Sequence, residues 1–143
     1  MGSLRSRVEQ HYKDIDNKDW DHMREFVRPD VLSVMAGTEM RGVEPFIAYG
    51  QLFATAFPDM RVELLSTTEE GNTVVAESIL RGTHTGPLTD PSGHEIPATG
   101  KPINIPVADS FVFEDGKLAT HRVYFDQMSL MAQLGLLPAP TQT

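Results

Sequence analysis

The chain has no cysteine. Disulfide scaffolds, thiol catalysis and cysteine zinc sites are therefore excluded. Basic residues are scarce: 12 Lys and Arg stand against 20 Asp and Glu, a net charge of -8, and the cations form no cluster. Binding to a phosphate backbone or an anionic membrane surface needs clustered positive charge, so neither nucleic acid nor membrane is expected as a partner. Long hydrophobic runs are missing too, since no stretch approaches the roughly 20 apolar residues of a membrane-spanning helix. No secretory signal precedes the first helical pattern, and the expected location is cytoplasmic. There is no glycine-rich phosphate loop and no nucleophile elbow of the G-x-S-x-G kind. The five histidines, at 11, 22, 84, 94 and 121, include no pair at metal-site spacing. Neither a metal nor an organic cofactor is expected.

What is present suits one ordinary globular domain: 143 residues, 40% hydrophobic and 22% charged. Leu4, Val8, His11, Tyr12 and Ile15 mark one face of an amphipathic helix over residues 3–16. Asn17 or Asp19 caps a second helix through Trp20, Met23, Phe26 and Val27, which Pro29-Asp30 ends. Val31 to Met35 reads as a strand, and Gly37 and Gly42 punctuate a loop. A third helix runs from about Val43 to Phe57, with Tyr49 on or near its apolar face, and Pro58 stops it.

The period then changes from helix to strand. Met60 to Leu65, Val74 to His84, Ile103 to Phe113 and Leu118 to Phe125 read as strands. Gly71-Asn72 and Asp115-Gly116 are turn signals, and residues 85–102 read as a long loop. Asp126 caps a last helix, Met128 to Leu134, and residues 138–143 are expected to be a loose tail. Helices gathered in the first half and consecutive strands in the second make an α+β fold. The expectation is a curved antiparallel sheet covered by the N-terminal helices, with an apolar pocket between the layers.

Asp109 is the residue with chemical potential. By alternation it shares a sheet face with Val107, Phe111 and Phe113. A carboxylate among such neighbours loses hydration, which suits it to general acid or base work. Equally, it can pair with a basic neighbour and simply hold the sheet. The hairpin register separates these readings. A two-residue loop at Asp115-Gly116 puts Asp109 opposite Arg122; a three-residue loop with a bulge puts it opposite Val123, with His121 on its face. His84, in Gly82-Thr83-His84-Thr85-Gly86, either lines the pocket mouth or contacts the long loop.

Several stretches, in this order, carry a resemblance. They are Phe57-Pro58-Asp59, Gly82-Thr83-His84-Thr85-Gly86, Pro97-Ala98-Thr99-Gly100-Lys101, Glu114-Asp115-Gly116-Lys117-Leu118, and Asp126 with Gln133-Leu134-Gly135. The chain resembles the SnoaL-like polyketide cyclases, often called ester cyclases, of the nuclear transport factor 2-like superfamily. The resemblance implies a cone-shaped α+β barrel, a homodimer, no cofactor, and closure of a polyketide ring by intramolecular aldol condensation. It also implies an acid/base aspartate where this chain has Val123, within His121-Arg122-Val123, and a partner histidine where it has Asp109. Tyr12 and Tyr49 fall on ligand-contacting positions. Leu118 to Asp126 is also similar to a strand of limonene epoxide hydrolases, which need an aspartate at that same place.

The expected catalytic residues are therefore Asp109, as base next to a carbonyl, and His121, which with Tyr12 or Tyr49 holds the enolate oxygen. Tyr12, Tyr49, Phe53, His84, Phe111 and Val123 are the expected contacts to a hydrophobic small molecule. Val123 keeps two alternatives open: a binding protein without chemistry, or a redirected relative such as a hydroxylase or epoxide hydrolase.

Overall fold

The Ser3 hydroxyl accepts a hydrogen bond from the Ser6 backbone N–H at 3.2 Å and so starts α1, Leu4–Asn17. The computed structural model describes residues 3–35, 37–89 and 93–137, and the tail expected at 138–143 lies outside them. Val8, His11 and Tyr12 are buried along one stripe of α1, at the i, i+3, i+4 spacing of a helix face. Lys18, in the left-handed region at φ 55°, ends the helix. Of the two candidate caps for α2, Trp20–Phe26, Asp19 is the one used, accepting from the His22 N–H at 3.2 Å.

The second helix stops at Phe26, before Pro29, because residues 27–30 already belong to β1, Val27–Met35. A proline is tolerated there because the ladder is irregular between Val27 and Leu32. The segment read as a Gly37–Gly42 loop contains a short strand, β2, Thr38–Arg41, paired antiparallel with β1. Its mostly exposed residues give no hydrophobic alternation to read. α3 spans Val43–Ala56.

Of the four long strands that follow, β3, Arg61–Glu70, and β4, Thr73–Thr83, form one hairpin. The stretch read as a long loop holds a small two-stranded pair, β5, Leu88–Thr89, with β6, Glu95–Ile96. Gly86 brings it against the end of α3; a Cβ there would stand 2.0 Å from the Thr55 carbonyl oxygen. β7, Pro102–Glu114, and β8, Lys117–Phe125, complete the main sheet, and α4 covers Gln127–Gln133. Asp126 caps α4 by accepting from the Ser129 N–H at 3.0 Å.

The sheet order is β2-β1-β8-β7-β4-β3, curved but not closed. It is antiparallel except for β1 beside β8, which run parallel. A sheet antiparallel throughout was the expectation; the correction arises because β1 precedes the other long strands and must cross over to reach β8. Packing divides into two apolar clusters. One gathers Val8, Tyr12, Phe26, Phe46, Phe111 and Phe113; the other gathers Phe57, Met60, Ile103, Ile105, Leu130 and Leu134.

The β7–β8 hairpin sets the site. Asp115 and Gly116, at φ 51° and 78°, form a two-residue turn between the paired Glu114 and Lys117. Continued regularly, that turn would place Asp109 opposite Arg122. Instead Ala119 is an extra residue in β8, because Phe113 pairs with Leu118 while Val112 pairs with Thr120. Asp109 therefore lies opposite Val123, and Arg122 opposite Ser110. The register shift comes from a bulge inside the strand, not from a three-residue loop.

Candidate functional site

An apolar cavity of about 130 Å³ lies between the helices and the inner face of the sheet. Both clusters contribute to its wall: Tyr12, Met23 and Phe46 from one, Met60, Ile105 and Leu130 from the other. Its polar groups are few, and Asp109 is among them.

Asp109 is 7% exposed and hydrogen-bonded at both oxygens. The Tyr12 hydroxyl donates to Oδ2 at 2.5 Å, and His121 Nε2 stands 3.0 Å from Oδ1. With Asp109 ionised, the Nε2–H is the donor. Three elements converge here: α1 brings Tyr12, β7 brings Asp109 and β8 brings His121. The Tyr12 phenol is held far above its ordinary value, first by burial and then by the Asp109 charge, with the nearby Ser78 hydroxyl opposing. Tyr49 is raised too, by burial first and then by the same carboxylate. Both phenols stay protonated and able to donate at neutral pH.

Every expected site residue has a definite place. Asp109, His121, Tyr12, Tyr49, Phe53 and Val123 line the cavity. Phe111 and His84 do not. Phe111 is fully buried one layer back, stacked on the His121 ring at 4.7 Å and 13°, where it fixes that ring's plane. His84 is also fully buried, its Nδ1 3.0 Å from the Thr99 hydroxyl, which serves the loop-contact reading and not the pocket mouth. The pairing of Asp109 with Arg122 is absent, since the bulge turns Arg122 to the opposite face of the sheet.

Two polar cavity residues went unassigned in the sequence. His11 follows from the helical stripe that contains Tyr12, and Ser78 from alternation with Val74 and Ala76 in β4. Their types were visible, but only the packing shows that a hollow lies beside them. His11 is held neutral, at about 3, by burial first and then by His121, with Asp109 opposing. Among the described residues no group of three or more His, Asp or Glu gathers as metal ligands do.

No curated protein matches the chain. Solved structures do. A candidate SnoaL-like polyketide cyclase from Jannaschia sp. CCS1 superposes with a TM-score of 0.83 at 24% identity, over 94% of this chain and 93% of that one. TsrD from Streptomyces laurentii gives 0.81 at 27% identity, over 94% and 96%. AclR from Streptomyces galilaeus, a candidate hydroxylase, gives 0.79 at 20% identity, over 94% and 97%. The family model for SnoaL-like polyketide cyclases matches residues 6–134. With nearly the whole chain matched and the fold the same, this protein belongs to the SnoaL-like polyketide cyclase family.

Proposed function

We propose that the protein is a cyclase that moves a proton next to a carbonyl of a neutral hydrophobic substrate, with Asp109 as the acid/base. The observation that carries this is a carboxylate set in the wall of an apolar cavity with two donors aimed at it. A carboxylate offers about four lone-pair sites. Tyr12 and His121 occupy one on each oxygen, which keeps Asp109 oriented and leaves sites free to accept a substrate proton.

The balanced sequence is short. Asp109 takes the C–H proton, and the C–H electron pair becomes an enolate. The enolate carbon attacks a second carbonyl of the same molecule, forming the C–C bond. The resulting alkoxide takes the proton back from Asp109. Tyr12 and His121 are already engaged with Asp109, so Tyr49 is the donor best placed for the enolate oxygen; its hydroxyl bonds to no other described residue and it feels the Asp109 charge.

Asp109→Asn tests the assignment. The variant should fold normally and lose about 10²–10⁴-fold in kcat on an aldol-competent substrate. Full activity in a folded variant would overturn it. Val123 supports a second reading, a binding protein without chemistry, because the residue facing Asp109 across the ladder cannot carry a proton. Binding of a ligand that is never converted would favour that reading.

A further inference from the structure

Proton transfer at Asp109 leaves one titratable ring of the cavity wall without a role. His11 is 3% exposed, lines the cavity, and has no hydrogen-bond partner at its buried Nδ1. Its orientation is fixed on several sides. The ring stacks on Phe26 at 4.8 Å and 11°, and meets Phe111 and His121 edge-on at 5.6 and 6.3 Å. Buried polar groups in folded proteins almost always find a partner, so an imidazole buried at this cost beside a hollow calls for one. Leucine or phenylalanine would fill the same volume among Phe26, Phe46 and Phe111 without that cost.

The rest of the lining states what the partner is. Among the described residues no Lys or Arg lines the cavity, and Asp109 is there to repel an anion. From this geometry the structure assigns to His11 the holding of an uncharged oxygen, a carbonyl or a phenolic hydroxyl, on a hydrophobic ligand. Burial supports this by keeping the ring neutral, and a neutral imidazole has one donor and one acceptor, which suits either kind of oxygen. The assignment rests on the reading of the cavity as a small-molecule site; it does not need Asp109 to be a base.

The test compares two probes of the same shape, naphthalene and 2-naphthol, by calorimetric titration of the intact protein. The native protein should bind 2-naphthol the more tightly, by about fivefold, the usual worth of one net hydrogen bond. His11→Phe should keep naphthalene binding, lose the preference, and melt no lower than the native protein at neutral pH. His11→Leu serves if the Phe variant does not fold. A preference unchanged in these variants, no preference in the native protein, or no binding of either probe up to its solubility limit overturns the assignment. Loss of the preference only in Asp109→Asn also overturns it, by giving the oxygen to Asp109. None of these readouts requires turnover, so a failure here is distinct from a failure of the cyclase reading.

Discussion

At the scale of single residues, the site is held by hydrogen bonds that cannot be removed one partner at a time without cost. Tyr12→Phe takes the donor from Asp109 Oδ2 and leaves a buried charge short of a partner. A loss of about 1–3 kcal/mol is expected in urea unfolding at neutral pH; an unchanged free energy would show that water replaces the phenol. His11 has a different signature. It stays neutral in the fold down to about 3, against an ordinary value of 6.5. Between those values the unfolded chain binds the extra proton. Its contribution to stability is therefore complete above about pH 7 and is lost as pH falls from 6.5 towards 3, at no more than about 1.4 kcal/mol per pH unit. His11→Phe should flatten the fall in unfolding free energy between about pH 7.5 and 4.5, and equal slopes would refute that. His22 has the opposite sense: the Asp14 carboxylate, 2.6 Å away, raises it by hydrogen bonding first and by charge second. Its contribution is present below 6.5 and is lost as pH rises through its folded value.

At the scale of elements, the placement of the chemistry depends on one irregularity. The Asp115-Gly116 turn was legible as a hairpin from its residue types, and both residues take the left-handed conformation such turns demand. Ala119 was not legible as a bulge, since an alanine between Leu118 and Thr120 carries no local signal. Yet the bulge decides whether Asp109 faces Arg122 or Val123. Another close fit joins elements at Gly86. A side chain there would collide with backbone, the Thr55 carbonyl at 2.0 Å, and backbone cannot swing aside as a flexible side chain can. Gly86→Ala should cost at least about 2 kcal/mol in chemical denaturation, in the range of overpacking in a rigid site. A smaller loss would mean that the β5–β6 segment lifts off α3 cheaply.

At the scale of the whole molecule, the two faces of the sheet differ in character. The inner face carries Asp109, His121, Val123 and Ser78 towards the cavity. The outer face carries Val75, Ala108, Ser110, Arg122 and Tyr124, and Tyr124 is 59% exposed. No helix among the described residues is long and apolar enough to cross a membrane. For the homodimer that the family resemblance suggests, this outer face is the proposed interface. Tyr124→Asp should then shift sedimentation from dimer to monomer; a native protein that sediments as a monomer, or a variant that remains dimeric, would remove the proposal.

The sequence by itself determined the helices, the long strands and the family resemblance, but not the short strands β2, β5 and β6. Hydrophobic period, caps such as Asp19 and Asp126, and the turn at Asp115-Gly116 act over a few residues, so their physics is written locally. It also singled out Asp109, because alternation says which face its side chain takes, while Tyr12 entered as a site residue through the family resemblance. Tertiary structure decided what those faces meet. The Tyr12–Asp109–His121 contacts join residues up to 97 positions apart, the parallel pairing of β1 with β8 crosses most of the chain, and the hollow that His11 and Ser78 border is the space left when two apolar clusters pack without filling it. A cavity is a property of the gap between side chains, and no single segment of chain encodes a gap.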